Sequence, residues 1–243
     1  MAKKEKDMKD VKKLNIDPQE AEQADVIVKT QDFVQQNKAT ITIVSIVIIA
    51  IIALAYYYRV KTEENIREAS VELSRISMLY QQGEYEKALN GDPGYQVRGE
   101  NVKGLTQIAE EYSGTEPGRL AALYSGKSYV QTGDFDKARK YFDIALDSDA
   151  ELTRMGANAG LAVCSETEEN FSEAAGYYEQ AANLAPESEI KFRYMYFSGL
   201  CYEKAENKDK ASKLYKDIVF MSEKSQYADE ARVRLGMIGT VIE

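Results

Sequence analysis

The sequence contains no histidine and no tryptophan, and it has only four prolines and two cysteines in 243 residues. Without histidine, the chain cannot form Ser-His or Cys-His nucleophile pairs, histidine general bases or histidine metal ligands. Cys164 and Cys201 lie 37 residues apart and form no CxxC motif, which argues against a disulfide framework or a zinc motif. We expect two free thiols that are buried as small hydrophobic side chains.

The motifs that carry common enzyme chemistry are also missing. The sequence has no phosphate-binding loop, no nucleotide-binding glycine fingerprint and no cluster of metal-ligand residues. The net charge is −9, and the N-terminal tail is neutral, so a soluble region that carries this charge would repel phosphate. We therefore predict no enzyme activity, no catalytic residues, no cofactor, no metal and no nucleic-acid partner.

A long uncharged run, "TITIVSIVIIAIIALAYYY", occupies residues 40–58. As a helix it would span roughly 28 Å, which is close to the thickness of the hydrocarbon layer. Lys38 and Arg59 bracket the run, and its three final tyrosines suit a membrane interface. This pattern predicts a transmembrane helix at residues 39–58 that stays uncleaved. A cleaved signal peptide is the alternative, since Ala53–Ala55 resembles a cleavage site, but the preceding tail is too long and too mixed in charge.

The orientation follows from the lysines of the tail. Residues 1–38 contain eight lysines and eight acidic residues, and the positive-inside rule counts only the former. We expect this tail to be cytoplasmic, with its first 17 or so residues disordered and a short helix starting at Pro18. The remaining residues, 59–243, would then face outward, into the periplasm if the cell is bacterial.

Residues 59–243 have helical periodicity and contain an internal repeat. The stretches "QQGEYEKAL" (81–89) and "QTGDFDKAR" (131–139) share one pattern, which recurs with drift at 168–186 and 205–218. Each copy contains an alanine that marks the same position. These alanines are Ala88, Ala138, Ala174 and Ala211.

Small and aromatic residues keep fixed offsets from these alanines. A glycine precedes each of the last three alanines, and an aromatic residue follows each of these alanines by four positions. The glycines are Gly126, Gly160 and Gly199. Because glycine inside a helix costs about 1 kcal/mol, its recurrence indicates that paired helices approach closely there. Gly83 and Gly133 are expected to end helices with positive φ. The pattern predicts a helix-turn-helix repeat.

The spacing resembles that of the tetratricopeptide repeat, whose unit has 34 residues, as does the stretch 117–150. The resemblance implies an all-α solenoid of about four units and a C-terminal capping helix, with the first unit interrupted by the loop Asn90–Asn101. Together with Lys38, the isoleucine-rich anchor, "ALNGD", "AEEYSGT" and "LAALYSGKSYVQTGDFDKA", the chain resembles YfgM-like bacterial proteins. That family implies an inner-membrane protein with a periplasmic repeat domain, accessory to the Sec translocon and its neighbouring chaperones.

Stacked helical hairpins present their first helices on one concave face, which can hold an extended peptide or an acidic tail. Projection from the repeated glycines gives these candidates for a partner-binding groove: Leu123, Lys127, Gln131, Arg154, Asn158, Arg193, Tyr196 and Lys204. The alternative is that each of these residues is an ordinary solvent-exposed position with no binding role. Residues 147–189 hold ten acids and one base, which indicates either a solvated acidic face or steering of a basic partner.

The leading hypothesis is a membrane-anchored adaptor that binds other proteins, such as translocon, chaperone or envelope components. A structural subunit of a stable envelope complex, with no client traffic, is the alternative. The oligomeric state stays open.

Overall fold

The computed structural model describes residues 18–97, 99–222 and 224–239. The predicted disorder of the first 17 residues falls outside these ranges. The chain divides into two compact units, Met1–Val60 and Lys61–Glu243.

The first unit contains helix α1 (Pro18–Gln36) and the start of α2 (Lys38–Gln81). The helix predicted to begin at Pro18 is therefore present, and Asn37 separates it from the next one. Within the described residues, α2 is the one helix that is long and apolar enough to cross a membrane, and none of its most apolar window is buried. Exposed side chains such as Ile43 and Ile49 (62% and 65%) would cost free energy in water and suit a lipid environment.

The second unit is built almost entirely from helices, as predicted. After the end of α2, its elements in the described residues are α3 (Tyr85–Asn90), β1 (Gln96–Val97), β2 (Glu100–Asn101), α4 (Leu105–Glu111), α5 (Glu116–Thr132), α6 (Phe135–Leu146), α7 (Glu151–Thr167), α8 (Phe171–Leu184), α9 (Glu189–Lys204), α10 (Lys208–Met221) and α11 (Gln226–Met237). From α4 onward, each helix packs against the next, and the first helices α5 and α7 also touch. This nearest-neighbour packing is that of a helical solenoid, so the predicted fold class is confirmed.

The loop Asn90–Asn101 does interrupt the first hairpin. It carries the antiparallel pair β1–β2, in which Gln96 faces Asn101 and Val97 faces Glu100. These two-residue strands could not be predicted from the sequence, because so short a pair of strands has no alternation of apolar and polar residues.

All four helical hairpins of the repeat close with the same backbone hydrogen bond. An N–H just after the turn donates to the carbonyl five residues earlier, as in the Schellman motif. The donor–acceptor pairs are Glu84–Leu79 (3.0 Å), Asp134–Tyr129 (3.0 Å), Asn170–Ser165 (2.8 Å) and Asn207–Tyr202 (2.8 Å). Each donor lies four residues before one of the repeated alanines, so the alanines mark four equivalent turns.

The residue that reverses the chain at these turns has positive φ. Gly83 and Gly133 have φ of 78° and 83°, as predicted. In the third and fourth hairpins the same place is taken by Glu169 and Glu206, with φ of 61° and 60°. A side chain in this left-handed region is strained by contact of its Cβ with the backbone. The Schellman bond therefore holds these two turns against a local preference.

The repeated glycines make room for aromatic rings. A Cβ added at Gly126 would lie 2.6 Å from the ring of Phe142, and one at Gly199 would lie 2.5 Å from the ring of Tyr215. In both cases the ring belongs to the second helix of the same hairpin. The predicted role of glycine at close approaches is confirmed at these two positions.

The prediction that Gly160 is the equivalent of Gly126 is wrong. A Cβ at Gly160 would lie 2.2 Å from Phe142, which belongs to the preceding hairpin. The equivalent residue is Ala162, which is fully buried and precedes Ala174 by the same 12 residues that separate Gly126 from its alanine. The positions of α7 are thus displaced by two residues from the predicted register.

The buried side chains form two clusters that run through the second unit, and among the described residues they extend from Ala69 to Leu235. The thiols of Cys164 and Cys201 are free and buried, as predicted. Burial raises the pKa of Cys164 to about 11 and that of Cys201 to about 12. Both side chains therefore act as apolar packing groups at neutral pH.

A candidate binding groove on the first helices

A cavity of about 280 Å³ opens where the first helices of successive hairpins meet. We call it the Lys127 groove. Its lining consists of Tyr80, Tyr85, Lys127, Val130, Gln131, Phe142, Gly156, Ala159, Gly160, Val163 and Tyr194. These residues come from α2, α3, α5, α6, α7 and α9, so the stacking of the hairpins creates the groove.

Small side chains form the floor of the groove. Helix α7 contributes Gly156, Ala159, Gly160 and Val163 to the lining. The neighbouring first helices contribute longer side chains, so α7 leaves a trough between them. A larger residue cannot replace Gly160 without a shift, because an added Cβ would lie 2.2 Å from the ring of Phe142.

Tyrosines wall the groove on two sides. On one side, Tyr80 stacks on Tyr124 with ring centroids 4.7 Å apart and meets the edge of Tyr85 at 5.9 Å. On the other side, Tyr194 stacks on Tyr178 at 6.3 Å. These ring contacts fix the walls in place, so the groove is preformed.

Lys127 is the one charged residue in the lining. Lys127 is an exposed residue as a whole, and the packing around its ammonium group lowers the pKa of Lys127. No carboxylate lies within ion-pair distance of it among residues 18–97, 99–222 and 224–239. Two lysines of α6 are neutralised: Lys140 pairs with Glu110 at 2.9 Å and Lys137 with Asp134 at 2.7 Å. Lys127 therefore offers an unmatched positive charge to whatever enters the groove.

Two of the predicted site residues, Lys127 and Gln131, are brought together in this groove. Arg154 is instead engaged locally, since its guanidinium donates to the carbonyls of Ser148 (2.8 Å) and Asp149 (3.3 Å). Asn158 is buried, and its amide donates to the carbonyl of Arg154. Neither residue lines the groove.

The remaining candidates lie elsewhere. Tyr196 packs against Tyr215 and Tyr227, with both centroid distances 5.8 Å. Lys204 pairs with Glu166 at 3.5 Å and lies over the ring of Phe171. The last two of the eight candidates are a leucine and an arginine. Leu123 is buried, and Arg193 lies with its guanidinium 5.1 Å from the centroid of Tyr194, directly beside the groove.

Projection from Gly160 missed the lining residues of α7. Counting back from the alanine of each second helix finds them. Eleven residues before Ala138 lies Lys127, and eleven before Ala174 lies Val163. Ala159 lies fifteen before the same alanine. The alanines, which sit at four equivalent turns, were the better reference because the glycines serve two different contacts.

Polar contacts also hold the hairpins in register. Glu116, at the start of α5, accepts hydrogen bonds from the Ser148 hydroxyl (2.6 Å), the Asp149 amide (2.9 Å) and Arg119 (2.7 Å). Burial acts to raise the pKa of Glu116, but these donors together lower it to about 2. The carboxylate thus ties the start of one first helix to the chain entering the next.

An ion pair and a hydrogen bond join α6 to the C-terminal end of α7. The guanidinium of Arg139 contacts both carboxylate oxygens of Glu168 at 3.0 and 2.9 Å and donates to the hydroxyl of Ser165. Bidentate geometry of this kind resists rotation of the pair.

Among the described residues, no group of three or more cysteines and acids is placed to hold a metal ion. The lining of the groove offers apolar contact, hydrogen bonding and one positive charge.

A comparison with curated proteins finds no match. The model of the tetratricopeptide repeat-like domain family does match, over residues 31–188. The matched stretch covers more than half of the chain and includes the apolar part of α2, the first three hairpins and every residue of the groove lining except Tyr194. The shared turns, the alanine positions and this match agree: the chain belongs to the tetratricopeptide repeat-like domain family.

Proposed function

We propose that this protein is a membrane-anchored scaffold that holds segments of other proteins in the Lys127 groove. The observation that carries the proposal is a preformed trough with tyrosine walls and one unmatched cation, on a repeat domain joined to an apolar helix. Repeat arrays of this type serve protein–protein interaction, and a groove with fixed walls limits the ordering cost of binding. The proposed function needs no catalytic group.

We propose a bacterial inner membrane as the location. Residues 1–38 are the cytoplasmic tail, 39–58 cross the membrane, and 59–243 form the periplasmic repeat domain. Two observations support this: the lysines of the tail, which favour retention in the cytoplasm, and the exposed apolar side chains of α2. Cysteine labelling would test it, because both native thiols are buried. A cysteine at Gln36 should stay protected from an impermeant maleimide in intact cells that have a permeabilised outer membrane, whereas one at Gln180 should react.

The partners that we propose are components of the Sec translocon and periplasmic chaperones. The support is the resemblance to YfgM-like proteins, carried by the anchor and the motifs around the first two hairpins. Chemical crosslinking in intact membranes, followed by purification of this chain and identification of its adducts, tests the assignment. Recovery of translocon or chaperone components is expected, and their consistent absence would contradict it.

A structural subunit of a stable envelope complex is the second candidate. It is favoured by a separate cavity of about 440 Å³ between α8, α9 and α10, where Phe220 is 71% exposed. Exposed apolar side chains beside a cavity are typical of a surface that contacts another protein. Purification in mild detergent separates the two functions. A fixed stoichiometric assembly indicates the structural subunit, whereas a free protein whose partners dissociate in salt indicates the scaffold.

A further inference from the structure

We infer that one face of α10 pairs two copies of the chain, so that the protein self-associates in the membrane that anchors it. The inference goes beyond what the Lys127 groove binds, and it rests on the proposed function only for the anchoring in a membrane. Three features of the face support it: its apolar exposure, its unpaired charges and the order of its residues.

One side of α10 is open to solvent from the start of the helix to its end. Six of its residues line the cavity of about 440 Å³, at offsets of i, i+3, i+4, i+7, i+10 and i+11 that place them on one side of the helix. We call this surface the α10 face: Lys210, Lys213, Leu214, Asp217, Phe220 and Met221. Phe220 and Met221 are 71% and 39% exposed, so contact with a partner would remove apolar area from water.

Two charges on the α10 face have no ion-pair partner in the described part of the chain. No carboxylate lies within ion-pair distance of Lys213 there, and no cation lies within that distance of Asp217. Other charges of the last two hairpins are paired, such as Lys204 with Glu166 at 3.5 Å. The α10 face therefore offers one unpaired charge of each sign, about one helical turn apart.

The order of the residues lets the α10 face pair with itself. An antiparallel pair of α10 helices, with its two-fold axis beside Tyr215, places Lys213 of each copy opposite Asp217 of the other. The same axis sets Lys210 opposite Phe220, so that the methylene stem of the lysine covers the ring. One helix thus carries both halves of two ion pairs and of two apolar contacts. The partner that this charge pattern fits is a second copy of the chain.

The size of the α10 face sets the strength of the pairing. The helix has 14 residues and is about 21 Å long, and six of its residues form the face. A stable interface in solution uses about 20–30 residues on each side, so two isolated copies would pair weakly. Anchoring in one membrane raises the effective concentration of the copies, which is sufficient for a weak and reversible pair.

Photo-crosslinking of the purified full chain in phosphatidylcholine vesicles tests the inference, since no other protein is present there. Benzoylphenylalanine replaces Phe220, and the same photoreactive residue at Val233 is the matched control, because Val233 is 57% exposed on α11 and lies outside the α10 face. The variants Lys213→Asp, Asp217→Lys and the double variant are compared in the Phe220 background. Resistance to carbonate extraction checks that each variant is inserted, which tests the proposed anchor separately.

We expect an adduct of twice the mass of the chain from position 220, attached within residues 208–212 of the second copy, and little from position 233. Each single charge change sets like charges opposite each other at two symmetric points, so the yield should fall about tenfold. The double variant restores opposite charges and should recover the yield. Equal yields from the two photoreactive positions, attachment elsewhere in the chain, or a double variant that stays as low as the single ones would overturn the inference. Because insertion is measured independently, these results would leave the proposed anchor standing.

Discussion

The contact between Gly160 and Phe142 allows a stringent test of how the hairpins nest. Replacing Gly160 by alanine adds one methyl group at a point 2.2 Å from Cζ of Phe142, far inside contact distance. The ring has little room to retreat, because it also packs against Gly126, where an added Cβ would lie 2.6 Å from it. Overpacking of this kind costs about 1–3 kcal/mol.

Helix propensity acts in the opposite direction. A glycine-to-alanine change within a helix gains about 1 kcal/mol. Gly176 is the matched control, because it lies within α8 and an added Cβ would meet nothing within 4 Å. We expect Gly176→Ala to stabilise the second unit by about 1 kcal/mol and Gly160→Ala to be less stable than this control by about 1–3 kcal/mol.

The assay is urea unfolding of residues Lys61–Glu243, followed by far-UV circular dichroism. This unit contains all of the buried core found in the described residues. Repeating Gly160→Ala in a Phe142→Leu background should remove most of the penalty, because the ring atoms in conflict are gone, and give a coupling of about 1–3 kcal/mol. The reasoning is refuted if Gly160→Ala stabilises the unit as much as Gly176→Ala does, or if the two changes are additive.

Three further outcomes are expected from the hairpin turns and from the polar contacts of Glu116 and Arg139. Glu206→Gly should raise the free energy of unfolding by up to about 1 kcal/mol, because it relieves a positive φ of 60°, whereas Gly133→Ala should lower it by a similar amount. Because the pKa of Glu116 is lowered to about 2 in the folded state, its stabilisation is present above pH 4.5 and is lost as the pH falls toward 2. Glu116→Gln should therefore cost about 1 kcal/mol at pH 7, allowing for the 41% exposure of the side chain, and flatten acid unfolding curves in this range. Arg139→Met should lower the thermal midpoint by about 2–4 °C in calorimetry, whereas Lys216→Met should leave it unchanged.

The repeat could be predicted from the sequence because its signals are local. Gly133 ends a helix with positive φ, and Ala138 marks the close approach of the following helix, so both residue types report their own backbone surroundings. The apolar run of α2 is equally direct. In contrast, Glu169 and Glu206 gave no sign of the same turn, because the Schellman hydrogen bond there overrides the residue preference.

The groove was only partly predictable, for two physical reasons. Gly160 matches the repeat pattern yet contacts the ring of the preceding hairpin, so sequence spacing alone assigned it to the wrong partner and displaced Arg154 and Asn158 into the list of candidates. The isolation of Lys127 depends on which carboxylates reach it in three dimensions, and no periodicity encodes that. The sequence predicted Lys127 as a groove residue, but it did not predict that Lys127 lacks a carboxylate partner.

Occupation of the Lys127 groove by other proteins in the cell is the central claim, and site-specific photo-crosslinking measures it directly. A photoreactive amino acid at Gln131, in the groove, is compared with one at Gln180, an exposed glutamine on α8 outside the groove lining. We predict protein adducts from Gln131 that are reduced by Lys127→Glu, and few or none from Gln180. Equal adduct yields from the two positions, or none from Gln131, would contradict the account.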